Sequence, residues 1–328
     1  MATRSQPGGA LLGDLIVAAL ILLIALAGWW LLPSSLALLT RIIAVMLLVL
    51  SLDLVTGYGG VATLGHAALF GAGAYAAGIA AAYFGVADPL AMIAVGAVAG
   101  GLAGLLSGAV ILRARGLSQL VLSIAIVQLA REAANKASAW TGGSDGLAGI
   151  SPEPLLGLYP FDLWGRTAFL LGVALLVIVV LVLRPLVRSP FGLLCQAIRE
   201  DPVRVRAMGG SVYPTLLRLY VISGVVAGVG GALNAVSTQV VGLDSVGFTL
   251  SAEALVMLVL GGTGGLYGAM IGTVVFMGFE HVVSAANPFH WLTIVGALLV
   301  AVVLFAPRGL AGALRGLYGR LRPVGPGP

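Results

Sequence analysis

The chain has 328 residues, of which 60% are apolar and 9% charged, with a net charge of +5 and a mean hydropathy of +1.10. Soluble proteins carry about 25% charged residues, so there is too little charge here to cover a water-facing surface. The same numbers exclude intrinsic disorder, which requires low hydrophobicity and high charge. The composition is that of a membrane protein. Its positive charge does not point to nucleic acid, because sixteen of the seventeen basic residues are arginines gathered mainly at the ends of apolar runs. A single cysteine, Cys195, allows no intramolecular disulfide and no cysteine-ligated cluster, and the three histidines are scattered. No metal site is expected.

A helix needs about 20 mostly apolar residues to cross a bilayer. Runs that fit lie at 10–32, 39–56, 61–84, 89–112, 117–135, 166–184, 215–240, 250–266, 268–286 and 290–306. The first exceeds a signal-peptide core and is not followed by a clear small-residue cleavage site, so it reads as a retained helix. The expected fold is an all-α polytopic membrane protein of about ten transmembrane helices, some broken by glycine-rich segments.

The arginines supply a test of that count, since short cytoplasmic loops collect Lys and Arg. Arg113 and Arg115 follow the fourth run, six arginines lie from Arg184 to Arg218, and Arg308, Arg315, Arg320 and Arg322 follow the last. Two runs separate the first cluster from the second, and four separate the second from the third. All three therefore fall on one face, expected to be cytoplasmic, as are both termini. Residues 1–328 read as one transmembrane domain. Within it, 137–165 is a turn-rich external loop and 185–214 is a cytoplasmic connection.

Chemistry is sparsely provided. The lone lysine, Lys136, has no glycine-rich loop before it, so a phosphate-cradling site of the Walker type is excluded, and His-Glu-x-x-His is absent. Gly261-Gly262-Thr263-Gly264-Gly265 lies between two apolar runs with no strand ahead of it, which argues against a nucleotide loop. The cytoplasmic connection encodes two helix starts, Ser189 before Pro190 and Asp201 before Pro202, each an N-cap ahead of a proline at the first helical position. Gly209 and Gly210 supply a stop. In the second short helix Val203, Ala207 and Met208 share a face away from Arg204 and Arg206. That face suits either a partner's groove or the chain's own membrane domain.

A carboxylate within a span costs about 2.5–3.5 kcal/mol on insertion scales, which makes Asp53 a functional candidate. It precedes Thr56-Gly57-Tyr58-Gly59-Gly60, whose glycines can break a helix and free backbone groups to line a cavity. The alternative is that Asp53 caps the next helix. His66 stands on a small, apolar helix, either as a hydrogen-bonded packing residue or as a substrate contact. Glu253, like Glu280 and His281, is placed to line the external half of a path or to sit at the interface with water access. Gly65, Gly71, Gly73 and Gly78, like Gly100, Gly101, Gly104 and Gly108, have the spacing of close helix packing.

Several stretches together resemble the permease subunits of branched-chain amino-acid ABC importers, specifically the longer of the two paired permeases. They are Asp53 to Gly60 continuing into Leu64 to Tyr75, Arg115-Gly116-Leu117, Thr141 to Leu147, Ala197-Ile198-Arg199-Glu200-Asp201 running to Ala207-Met208-Gly209, Gly261 to Gly265, and Phe305 to Leu310. They cover nearly the whole chain in family order. The resemblance implies that Ala197, Ile198, Arg199, Glu200, Asp201, Val203, Ala207, Met208 and Gly209 couple the permease to an ATP-binding subunit, although Pro202 and the arginines after it depart from the usual acidic and small residues there. It implies a non-enzymatic subunit of the bacterial inner membrane that binds no cofactor, with ATP and Mg held by partners. Those partners are a second related permease, two cytoplasmic ATP-binding subunits and an external substrate-binding protein. The implied cargo is leucine, isoleucine or valine, with urea, short amides or other small acids as the alternative. Asp53, Thr56, Gly57, Tyr58, Gly59, Gly60, His66 and Glu253 form the candidate path or gating set. A secondary transporter or channel is the competing class.

Overall fold

The computed structural model describes residues 7–312 except 32, 156, 163, 287–292, 295, 298–299, 301–308 and 311. Among the described residues the fold is all-helical: α1 (Pro7–Leu31), α2 (Leu36–Leu52), α3 (His66–Phe84), α4 (Pro89–Ile111), α5 (Leu117–Lys136), α6 (Ser138–Thr141), α7 (Arg166–Arg188), α8 (Pro190–Glu200), α9 (Pro202–Ala207), α10 (Val212–Thr238), α11 (Phe248–Gly261) and α12 (Leu266–Ala286). Among the described residues, seven helical stretches have the length and composition to cross a membrane, beginning with Pro33–Tyr58 and ending with Leu266–Ala285. The apolar part of α1, Ile16–Leu31, and α11 are shorter. The expected run at 290–306 falls largely outside the described residues, as do the arginines after it.

Helices occupy the other nine expected positions, with two informative departures. The run from 61 begins its helix only at His66. Gly60 has a φ of 70°, and the segment that follows finds side-chain partners instead of a helical ladder: the Leu64 amide donates to Ser123 Oγ, and the Gly65 amide to Thr63 Oγ1. The second departure is that 53–60 does not simply break. Asp53–Tyr58 continues α2 as a π-helix, a widened turn that is rare and often found at functional sites.

Lipid tails are as apolar as Leu, so helices in a bilayer associate through close packing rather than hydrophobic exclusion. Here α10 is the central post, packed on α4, α3 and α2. Its glycines permit this: a Cβ on Gly224 would strike the Gly100 carbonyl, and one on Gly228 the Gly96 carbonyl, both on α4. On its other side, a Cβ on Gly231 would strike the Phe70 carbonyl of α3. The small-residue spacing read in α3 and α4 thus serves backbone contact. In contrast, α5 buries only Ser123 and Val127 and leaves most of its circumference uncovered.

The helices have two distinct ends. Arg113, Arg115, Arg199 and Arg206 line one cavity of about 690 Å³ together with Gly59, Gly60 and the start of α10. At the opposite end Leu147, in the 137–165 connection, forms an antiparallel bridge with Val241, just after α10.

Candidate functional site

At the arginine-rich end, α8 and α9 start where local chemistry dictates. Ser189 Oγ accepts from the Gly192 amide, and Asp201 Oδ1 accepts from the Val203 and Arg204 amides at 3.0 and 2.9 Å. These two amide bonds, with Arg204 Nε 3.5 Å from Oδ2, hold the Asp201 carboxyl below its usual range. The segment has its own small core of Ile198, Val205 and Val212. Beneath it the Cys195 thiol is buried, and its pKa is pushed up to about 11 by that burial. Ile198, grouped in sequence with the coupling residues, therefore braces the segment from inside. Ala207, Val203 and Met208 face outward, the last two 68% and 72% exposed, and Arg199, Glu200 and Gly209 are exposed as well.

Arg199 ties this segment to the membrane core. Its Nη1 donates to the Gly57 carbonyl within the π-turn. In the same turn Asp53 Oδ1 accepts from the Gly264 amide at 2.7 Å, while its buried Oδ2 has no partner among the described residues. The Gly264 amide, just ahead of α12, and the N-terminal end of the α12 dipole thus present partial positive charge to this side chain. The alternative that Asp53 caps the following helix is corrected: it caps the approach to α12, 211 residues away in sequence.

The glycines make this node sterically possible. A Cβ on Gly57 would overlap Asp53 Oδ1 and come within 2.5 Å of the Gly264 nitrogen. One on Gly60 would lie 2.7 Å from Arg199 Cγ. Thr56 Oγ1 closes the turn by donating to the Val61 carbonyl at 3.1 Å, Gly59 is its C-cap, and Tyr58 packs half-buried against the core.

His66 is fully buried and lies apart from this node. Its Nε2 is 2.8 Å from Ser223 Oγ, which donates to the Ser51 carbonyl at 2.8 Å. Because the single hydroxyl proton is committed to Ser51, Nε2 must carry the histidine proton, leaving Nδ1 bare; it has no partner among the described residues. The result is a relay from α3 through α10 to α2. Glu253 is remote from both. It lines a second cavity of about 820 Å³ at the opposite helix ends, with Arg41 of α2 and Glu280 of α12. Arg41 and Gly57 are separated by sixteen residues along α2 and its π-turn, roughly 24 Å at 1.5 Å per residue.

The structure therefore divides the sequence-derived path residues among three places. It adds Ser51, Ser223 and Arg41, none of which stood out, and Gly264. Gly264 belonged to a conspicuous glycine cluster, but nothing local marked its amide as the partner of a distant carboxylate.

A bundle of apolar helices with a polar node at its core and an exposed helical pair tied to that node defines a multi-pass membrane transport subunit. Residues 34–304 match the model of the family described as "Branched-chain amino acid transport system / permease component". The chain belongs to that family. It is 28% identical over 286 residues to the high-affinity branched-chain amino acid transport system permease protein LivM of Salmonella typhimurium and to LivM of Escherichia coli K12, covering 81% of this chain and 67% of each relative. A shorter similarity, 31% over 125 residues, links it to LivH of Escherichia coli K12, covering 38% of this chain and 40% of that protein. No solved structure matches the chain. It is a transport subunit, not an enzyme.

Proposed function

We propose that this chain is the longer permease of an ATP-driven importer of branched-chain amino acids in a bacterial inner membrane. Both termini and the α8–α9 segment face the cytoplasm, and the chain makes about ten crossings. It pairs with a second related permease, while two cytoplasmic ATP-binding subunits hold ATP and Mg and an external binding protein delivers the cargo. The observation that carries the reading is the tie from Arg199 on α8 to Gly57, inside the turn that also holds Gly264 through Asp53. A force applied to the exposed α8–α9 surface is thereby passed to α2 and to the α11–α12 turn at one point.

In this mechanism the ATP-binding subunits close on nucleotide and displace α8–α9. The π-turn and the glycine turn follow, and the attached helices rock between inward and outward access. Energy spent outside this chain thus drives movement within it.

The test is reconstitution in proteoliposomes. The permease pair with its ATP-binding subunits and leucine-loaded binding protein is expected to import leucine only with ATP. Uptake by this chain alone under an ion gradient would instead place it among secondary transporters.

A further inference from the structure

The cavity at the opposite helix ends is lined by charges of both signs, uncharged polar groups and apolar side chains. Arg41 on α2 and Arg131 on α5 supply guanidinium groups, Glu253 on α11, Glu280 on α12 and Asp244 after α10 supply carboxylates, and Phe70 and Val45 lie among the lining residues. Glu253 is within electrostatic reach of both Glu280 and Arg41. Even so, none of these five charged side chains closes an ion pair within 4 Å or makes a hydrogen bond among the described residues. Glu253 and Glu280 are partly buried and Arg41 and Arg131 exposed, so all four heads can turn toward the shared space. Separated guanidinium and carboxylate groups around one space are complementary to a molecule carrying both charges on one carbon.

At about 820 Å³ the cavity falls within the ~300–1,000 Å³ range of small-molecule sites. It is also far from the coupling node, at the end where a substrate delivered from outside would enter.

We propose that this cavity is an entry site for a zwitterionic α-amino acid with an aliphatic side chain. Arg41 and Arg131 receive the carboxylate, Glu253 and Glu280 receive the ammonium group, and Phe70 and Val45 pack against the side chain. The inference rests on the importer reading above and assigns it a site. The site then tests for an amino acid, and no longer only for small size, before the path opens.

The test is saturation-transfer NMR on the permease complex in nanodiscs without the binding protein. L-leucine is compared with 3-methylbutylamine, which lacks the carboxylate, and 4-methylpentanoate, which lacks the ammonium group. The wild type is expected to favour leucine at least tenfold over each. Arg41→Gln should lose discrimination against 3-methylbutylamine only, and Glu253→Gln against 4-methylpentanoate only. Opposite losses in the two variants cannot arise from a general failure to fold. Unchanged discrimination in both would overturn the proposal. So would unchanged leucine contact accompanied by loss of ATPase stimulation by the binding protein, which would make these charges a docking rim. Failure of the importer reading registers separately, as no ATP-dependent leucine uptake by the wild type.

Discussion

Gly57 offers the sharpest test of the coupling node because nothing but hydrogen fits there. A methyl group at this position overlaps Asp53 Oδ1 and approaches the Gly264 nitrogen to 2.5 Å. The carboxylate must then rotate off the Gly264 amide or the glycine turn must withdraw. Overpacking a well-filled interior costs about 1–3 kcal/mol, to which loss of the hydrogen bond would add. On the overpacking cost alone, the node becomes about 5- to 150-fold less populated. The expected phenotype of Gly57→Ala is at least a fivefold fall in leucine imported per ATP hydrolysed, with complex assembly retained. The assay is paired measurement of uptake and phosphate release in proteoliposomes. Gly278→Ala, at a position with open space within 4 Å, is the control and should match wild type. Wild-type coupling in Gly57→Ala would refute the claim that the Asp53–Gly264 contact transmits motion.

Three further outcomes follow from local geometry. Gly228→Leu should prevent α10 from seating on α4 and α3, and size-exclusion chromatography of the purified complex should show loss of the monodisperse peak. The Asp201 carboxyl is held below its usual range by the folded segment, so its contribution to the start of α9 is present above the ordinary carboxylate pKa and lost as pH falls through the lowered value; hydrogen exchange across 201–208 should accordingly be faster in Asp201→Ala than in wild type at pH 7, and the wild-type cap should persist down to pH 5. The Cys195 thiol, buried with a pKa of about 11, stays protonated at pH 7.5, so maleimide should label it far more slowly than a cysteine placed at Met208, with equal rates counting against the described packing.

The sequence was most informative where structure is set locally. Ser189-Pro190 and Asp201-Pro202 determine the starts of α8 and α9 through bonds spanning two or three residues, so both were legible. Apolar runs located the helices for the same reason. The Asp53–Gly264 contact was not legible, because a carboxylate and an amide 211 positions apart carry no mutual pattern in one sequence. Nor was the π-turn: its widened ring depends on what packs against it, whereas Thr56 to Gly60 alone suggested a break. Placing Glu253 with Asp53 reflected shared chemistry, a carboxylate in an apolar run, but α2 and α11 carry these groups at opposite ends. Ile198 was grouped with the coupling residues by the resemblance alone, and only tertiary contact with Val205 and Val212 reveals it as their brace.

The most direct measurement of how energy enters is a photo-crosslinking residue in place of Met208, 72% exposed on the outer face of the α8–α9 segment, in membranes containing the complete transporter. Illumination is expected to join this chain to the ATP-binding subunit, with a yield that changes when nucleotide is bound. Crosslinks to lipid or to the external binding protein in its place would contradict the account.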